Sequence, residues 1–438
     1  MILRSRDIFM RNLFSMRHSL FFLVAGAILV LLFLLNVAIG ITYGGDSPWY
    51  IAMAEGHFSE IIEPYAGRFL HPFLVGQVSQ ILSLDIFHSF WIISILSLLF
   101  FFGIITVFLR DTLRSPLLLI PLFLTPYFFN TLREVFQPDA FYIFLTALFL
   151  LALFYRKECF ALIVLFLLFL SRESTLLLGV IFIIVSWIRS RRLLAVAALI
   201  VVIVALFTSG FIRDLGQPNI HHLSSPVYLA MKLSYNFLTN VFGIIPWANT
   251  YDTCVPAFRF SLPASFPAGN IHEVGFCGFD FSLPIHSLIT LLSVFGIAPL
   301  VLFFVLVKRF RFLLRESAFW VVTALSFGFF LYFLGIPAGT GIERIVGYAW
   351  PPFVLLAPLF VSSFFLITKR FVLLLSVLHL LVAWLPFIVQ RIAHYTLSSG
   401  IFSLFCILLV YFFTFRIINK QGMTKENPLA LWDPEGMS

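Results

Sequence analysis

Residues 138–188, PDAFYIFLTALFLLALFYRKECFALIVLFLLFLSRESTLLLGVIFIIVSWI, contain three apolar runs separated by short charged segments. The runs cover 138–155, 159–171 and 174–188, and only a few polar residues divide one from the next. In a bilayer every backbone polar group must be satisfied within the protein, which favours helices for such runs. We therefore expect three consecutive membrane helices here, with the bilayer rather than one aqueous core organising the fold.

The composition of the whole chain extends this expectation beyond the quoted stretch. Of 438 residues, 61% are hydrophobic and 11% are charged, and the mean hydropathy is +1.04. An ordinary soluble domain is about 25% charged. We expect an all-α polytopic membrane protein with about 12 transmembrane helices, exoplasmic loops and interfacial helices. The expected spans are 19–41, 87–109, 116–131, 138–155, 159–171, 174–188, 193–209, 285–307, 317–335, 348–367, 371–389 and 400–416.

The distribution of charge predicts the orientation of the chain. If the N-terminus is cytoplasmic, the inner segments hold 20 of the 28 Lys and Arg residues, whereas the outer segments hold 13 of the 20 acidic residues. Positive charge is retained in the cytoplasm, so we expect both termini to be cytoplasmic and the carboxylates to gather outside. The formal net charge of +8 follows from short basic turns beside spans, which makes a nucleic-acid partner improbable.

The chain shows no internal repeat and no low-complexity linker, so one transmembrane domain over 1–416 is the simplest division. We expect exoplasmic loops at about 42–86 and 210–284, and a cytoplasmic tail at 417–438. The apolar run at 19–41 follows an Arg-rich segment and is too long for the hydrophobic region of a signal peptide, so we expect a membrane anchor. A bacterial inner (plasma) membrane is the expected location.

One carboxylate stands out in the first outer loop, within residues 41–72, ITYGGDSPWYIAMAEGHFSEIIEPYAGRFLHP. Asp46 or Ser47 precedes Pro48 at a typical helix start, so Asp46 can serve as a helix cap. The same aspartate can serve as a catalytic carboxylate, and the two roles are compatible. Trp49, Tyr50 and Met53 fall on one side, as in a helix that lies in the membrane interface.

Arg172 and Glu173 interrupt the apolar sequence between 159–170 and 174–188. Both flanks are shorter than the roughly 20 residues of a full crossing, so we expect the pair to lie recessed below the outer surface. An ionisable residue at such a depth is by default a hypothesis for a functional site. The structural alternative is an ion pair that fastens two short helices.

Further charged residues map to the same outer rim, and we group them as candidate substrate-binding residues. A carboxylate base beside arginines suits a reaction that deprotonates a hydroxyl and expels a phosphate. Two members lie in a Gly-rich loop, although its Gly-Thr-Gly is weak evidence of a phosphate cradle. The full group is Arg68, Arg133, Glu134, Asp139, Arg172, Glu173, Glu343 and Arg344.

The ordered motifs GGDSPWYIAMAEG, PYAGRFLHPFL, QPDAFYIFLTALFLLAL and SRESTLLL resemble those of bacterial multi-pass glycosyltransferases of the GT-C fold superfamily. The resemblance covers the first ~190 residues, and the later part mainly through its layout and ERIVGYAWPP. It implies a polyprenyl-phosphate-linked sugar donor, a glycan, lipid or protein acceptor, and inversion at the anomeric carbon. It also implies that the aspartate of the first exoplasmic loop is the catalytic base, a position that Asp46 matches. Arg68, Arg172 or Arg344 would then neutralise the departing phosphate.

We expect no cofactor, because the sequence gives little support for a metal. The first loop lacks the Asp-x-Asp of the metal-dependent oligosaccharyltransferase branch, and the histidines near the two outer cysteines show no standard zinc spacing. Cys254 and Cys277 fall on the expected exoplasmic side, where disulfides persist, so they can pair.

Two other classes of function stay open at this stage. About 12 spans is also the layout of many secondary carriers, including flippases of lipid-linked saccharides. Carriers usually place ionisable groups near the membrane midplane within repeated halves, whereas the charges here gather at one rim. A non-enzymatic assembly factor would require every charged cluster to be structural.

Overall fold

The computed structural model describes residues 26, 30, 34 and 40 and then 44–421, except 63–64, 110–117, 119, 218–224, 251–253, 264–269, 317, 339–341 and 394–395. Apart from those first four residues, the predicted first span at 19–41 lies outside the described residues, as does most of the predicted tail. The division into a single domain stays a prediction.

The chain is mostly helical, with 77% of the structure in helices. In chain order the helices before the second outer loop are α1 Ser47–Ala54, α2 Leu70–Leu82, α3 Ile86–Leu109, α4 Ile120–Phe123, α5 Pro126–Arg133, α6 Asp139–Phe154, α7 Glu158–Phe169, α8 Thr175–Ile188 and α9 Arg192–Arg213. The later elements are α10 Ser225–Phe242, β1 Ile244–Ala248, β2 Phe258–Ser261, β3 Glu273–Phe279, α11 Ser282–Ser293, α12 Ala298–Glu316, α13 Phe319–Ala338, α14 Ile342–Gly347, α15 Trp350–Phe364, α16 Lys369–Ala393 and α17 Leu397–Gln421.

Among the described residues, five helices are long and apolar enough to cross a membrane, namely α3, α9, α13, α16 and α17. A sixth crossing results if α11 and α12, which meet at a bend of 74°, form one span. Helices α6, α7, α8 and α15 are apolar but shorter, and they match four predicted spans in position. The chain thus has the helices of a multi-pass membrane protein.

The expectation of one continuous helix over 116–131 is wrong. The described part of this segment forms α4 and α5, which are separated at Thr125. Thr125 has extended backbone angles of φ −100° and ψ 150° because it precedes Pro126, the first residue of α5. A proline disfavours helical geometry in the residue before it, which explains why α4 does not continue into α5.

The chain is mostly helical, as expected. Between α10 and α11, however, it forms a small antiparallel sheet that the expectation of an all-α protein did not include. Its strand order is β1-β3-β2. Helix α10 ends before a turn at Gly243, which has φ +69°, and β1 begins at Ile244. A disulfide joins Cys254 to Cys277, with their Cα atoms 6.0 Å apart. The outer cysteines therefore pair, as the sequence allowed.

Aromatic packing holds part of the core together. The Trp350 ring stacks on Phe101, with centroids 4.9 Å apart, and on Phe128 at 5.2 Å. These contacts join α3, α5 and α15. A second cluster buries Tyr50 and Met53 of α1 at 0% and 1% exposure. Helix α1 is therefore packed against the protein on this side, and the prediction of an interfacial face there is wrong.

Candidate functional site

Asp46 lies immediately before α1 but does not cap it. Among the described contacts its side chain makes no capping hydrogen bond. Instead, the Tyr65 hydroxyl donates to Oδ1 at 2.9 Å, and the Arg344 guanidinium donates to Oδ2 at 2.8 Å. The prediction that the Asp46 side chain caps a helix is therefore wrong, and the carboxylate points into a cluster of charged residues that we call the rim cluster: Asp46, Asp139, Arg172 and Arg344.

Arg344 connects the two carboxylates of the rim cluster. Its Nη2 contacts Asp46, and its Nε lies 3.7 Å from Oδ2 of Asp139. The short helix α14 carries Arg344 to this position. Close packing fixes α14, since a Cβ added at Gly347 would lie 1.8 Å from the Tyr127 ring. Only glycine allows this approach.

Asp139 and Arg172 form the most deeply buried ion pair of the cluster. Their side chains are 3% and 4% exposed, and Nη2 of Arg172 donates to Oδ1 of Asp139. Tyr348 completes the pair, because its hydroxyl donates to Asp139 Oδ1 at 3.2 Å and its ring lies 4.4 Å from the Arg172 guanidinium carbon. Arg172 thus ties the break between α7 and α8 to the first residue of α6.

Glu173 does not pair with Arg172 but with Arg68. Arg68 Nε donates to both carboxylate oxygens of Glu173, at 3.0 and 2.9 Å, and its Nη1 donates to the Tyr50 hydroxyl at 2.9 Å. Arg68 is 10% exposed, whereas Glu173 is 44% exposed. The neighbouring residues Arg172 and Glu173 therefore serve two separate ion pairs, one buried and one at the surface of the site.

The surroundings shift the pKa values of two carboxyl groups in opposite directions. Burial raises the pKa of Asp46, but the positive charge and hydrogen bond of Arg344, together with Tyr65, outweigh it, so this pKa lies below its ordinary value. Burial, reinforced by the negative charge of Asp139, raises the pKa of Glu134 to about 7. Near neutral pH, Asp46 is thus ionised while Glu134 is partly protonated.

Glu343 and Arg133, two more of the predicted site residues, have other surroundings. Asn130 donates to Glu343 at 3.1 Å. Arg133 lies over the Phe129 ring, with 5.9 Å between its guanidinium carbon and the ring centroid, and its Nε has no hydrogen-bond partner. In the described part of the chain, neither side chain forms an ion pair with the rim cluster.

Sequence patterns did not single out four residues that complete the site. Tyr50, Tyr65 and Tyr348 are neutral aromatics, which in a membrane protein look the same as interfacial aromatics. Lys232 comes from α10, and its pKa is lowered, first by burial and then by the positive charge of Arg68. The charges of Glu173, Asp46 and Arg344 also act on that pKa, so Lys232 lies within electrostatic range of the site. In the sequence, the only indication that Lys232 belongs to the site is that it is a single lysine in an apolar helix.

Three polar side chains near the rim cluster are buried without hydrogen-bond partners. The atoms are Ser47 Oγ, both amide atoms of Gln137 and both ring nitrogens of His71. The Gln137 amide nitrogen lies 3.2 Å from where a Cβ on Gly44 would stand, which places it beside the chain that leads to Asp46. An unsatisfied buried polar group costs about 1–3 kcal/mol, so Gln137 and Ser47 are available to bind a polar ligand group.

Among the described residues, no group of three or more His, Cys, Asp or Glu side chains is arranged to hold a metal ion. Comparison with protein-family models, curated proteins and solved structures gives no match. The resemblance to GT-C glycosyltransferases therefore stays a prediction from the quoted motifs.

Proposed function

We propose that this protein is an integral-membrane glycosyltransferase that moves a sugar from a polyprenyl-phosphate donor to an acceptor hydroxyl. The observation that supports this most is the surroundings of Asp46. A partly exposed carboxylate, held by a tyrosine and an arginine, lies among cations drawn from distant parts of the chain. A base next to groups that bind phosphate suits this reaction.

In the proposed reaction, Asp46 accepts the proton of the acceptor hydroxyl as its oxygen attacks the anomeric carbon. A bond forms between that oxygen and the carbon. The bond from the carbon to the phosphate oxygen breaks, and its electron pair leaves with the polyprenyl phosphate. Attack from the face opposite the phosphate inverts the configuration. No oxidant or further reactant is needed.

Of the three candidate arginines, Arg344 suits the donor phosphate best. Arg172 is 4% exposed and held by Asp139, and Arg68 is 10% exposed and held by Glu173 on both oxygens. Arg344 is 29% exposed. A phosphate that binds Arg344 competes with Asp46 for the guanidinium and so frees the carboxylate to act as a base. Lys232 of α10, whose pKa the charges of Glu173 and Asp46 influence, provides a second cation.

The proposed topology has about 12 crossings, cytoplasmic termini and the site on the exoplasmic side of a bacterial plasma membrane. The four shorter apolar helices would then cross the bilayer beside the longer ones. Recessed loops between them, such as the one with Arg172 and Glu173, would face protein or water rather than lipid. This arrangement would let a membrane-embedded donor reach Arg344 from the side.

The test is an assay of the purified protein in lipid nanodiscs with a panel of polyprenyl-phosphate sugars and membrane extracts as acceptors. We expect acceptor-dependent release of polyprenyl phosphate. The proposal fails if no donor is consumed while the protein moves an intact lipid-linked saccharide across a vesicle membrane, because that result would make it a carrier.

A further inference from the structure

The sheet of the second outer loop has two chemically different faces. Strands β2 and β3 pair with Phe258 opposite Phe276 and Phe260 opposite Val274. Because side chains alternate between the faces of a strand, Phe258, Phe260 and Phe276 share one face. Arg259 and its neighbour Ser261 lie on the other.

A bulge extends the aromatic face along β3. The pairing of β1 with β3 shifts register between Ile245 and Pro246, which leaves Cys277 as an extra residue in β3. An extra residue reverses the alternation, so Phe279 returns to the face of Phe276, and the two rings contact at 5.8 Å. Phe281 continues the row and stacks on Phe279 at 6.4 Å.

The aromatic face is defined by Phe258, Phe260, Phe279 and Phe281, whose side chains are 58%, 53%, 60% and 65% exposed. Val274, on the same side of the sheet, packs in a small cluster with residues of α10. On the opposite face, Arg259 lies 3.6 Å from Glu273 in a solvent-accessible ion pair. The sheet is therefore amphipathic, and a row of phenylalanines facing water would be an unusually large apolar patch.

We propose that the aromatic face lies in the lipid–water interface of the bilayer, so that the partner of this surface is the membrane itself. Continuity with membrane helices supports lipid over a protein partner. Phe281 directly precedes α11, which together with α12 is apolar enough to cross a membrane. At the other end, α10 reaches β1 through exposed Phe237 and Phe242, whose rings contact at 5.5 Å.

The disulfide holds this face in place. Cys277 is the extra residue of the bulge, and Cys254 lies in the segment that leads to β2. The link joins the two chain segments that carry the four phenylalanines. We infer that the sheet anchors the segment between α10 and α11 at the membrane surface. This inference does not depend on the proposed enzymatic activity.

The test uses spin labels in nanodiscs of phosphatidylcholine and phosphatidylglycerol. Single cysteines replace Phe260 on the aromatic face and Ser261 on the charged face, in a background with Cys159→Ser and Cys406→Ser that keeps the disulfide. Collision rates of each label are measured with oxygen, which partitions into lipid, and with a water-soluble nickel complex.

We expect the label at 260 to collide severalfold more with oxygen than with nickel, and the label at 261 to show the reverse. Preferential collision with nickel at both positions would overturn the proposal. Protection of position 260 from both reagents would also overturn it, because it would mean that protein covers the aromatic face. An intact disulfide and an unchanged elution profile confirm that each variant is folded.

Discussion

The hydrogen-bond partners of the Asp46 carboxylate determine whether it can act as a helix cap or as a base. An N-cap aspartate hydrogen-bonds to backbone amides of its own helix, whereas Asp46 binds Tyr65 and Arg344. Both partners stabilise the ionised form, which lowers the affinity of the carboxylate for a proton in the resting state. A base of this kind works only if something weakens its ion pair at the moment of reaction, and a donor phosphate on Arg344 would do so.

The first prediction is that Arg344→Gln moves the acid limb of the activity profile to higher pH. Asp46 must be ionised to accept a proton, so activity is present above its pKa and is lost as pH falls through it. Arg344 holds that pKa below its ordinary value, and its removal raises the pKa. Measurement of kcat/KM for the donor against pH, which reports the pKa values of the free enzyme, checks this, with Arg259→Gln on the charged face of the sheet as the control. An unmoved acid limb would contradict the pairing.

A second prediction concerns Glu134, whose pKa is raised to about 7 by burial and by Asp139. As pH rises through this value, Glu134 gains a negative charge that acts on Arg344 and competes with the donor phosphate. We expect the KM for the donor to rise between about pH 6 and about pH 8. In Glu134→Gln this rise should disappear, whereas it should persist in the exposed control Glu55→Gln. The same pH dependence in both variants would exclude Glu134 as its origin.

At the scale of elements, the break between α7 and α8 supplies one residue to each of two ion pairs. The shortness of these helices predicted that Arg172 and Glu173 are recessed, and the structure buries Arg172 while leaving Glu173 44% exposed. Sequence reasoning left open whether Arg172 belongs to a functional site or to a structural ion pair. A structural tie to Asp139 is the arrangement observed.

The third prediction follows from this tie. Asp139→Asn leaves the buried Arg172 guanidinium without its charge partner, which should cost about 3–5 kcal/mol. We expect low accumulation in the membrane and a lower unfolding temperature in detergent. The double variant Asp139→Asn, Arg172→Gln removes both charges and should recover much of the loss. If the single variant is as stable as the wild type, Arg172 is not a structural tie and is again a candidate for the donor phosphate.

Much of the site could be predicted from the sequence because ionisable residues in an apolar chain are conspicuous. Asp46, Asp139, Arg172 and Arg344 were all named on this basis. Their pairing could not be predicted, since 298 residues separate Asp46 from Arg344 and no local pattern encodes such a contact. The tyrosines were missed because neutral aromatics carry no comparable signal.

The fold could be predicted less completely in the outer loops than in the membrane helices. A long apolar run in lipid forms a helix, because a helix satisfies the backbone hydrogen bonds within the run. Hydropathy therefore predicted the positions of α3, α9, α13, α16 and α17. The sheet was missed because its strands are only 4 to 7 residues long, and because the bulge at Cys277 disrupts the simple alternation that marks a strand.

At the scale of the whole molecule, the distribution of charge predicts which side of the membrane holds the rim cluster. The fourth prediction is that a cysteine at Ser398 reacts with a membrane-impermeant thiol reagent in intact cells, whereas one at Ser190 does not. Both positions are exposed, so burial cannot explain a difference in labelling between them. The substitutions Cys159→Ser and Cys406→Ser remove labelling of the two free cysteines. The opposite pattern of labelling would move the site to the cytoplasmic side.

The most direct test of the central claim is the rate of sugar transfer by Asp46→Asn. Asparagine keeps the size of the side chain and can still contact Tyr65, but it cannot accept the proton of the acceptor hydroxyl. We predict normal abundance in the membrane, with transfer lowered by about a hundredfold or more. Transfer at a near-normal rate by this variant would contradict the account, because Asp46 would then not be the base.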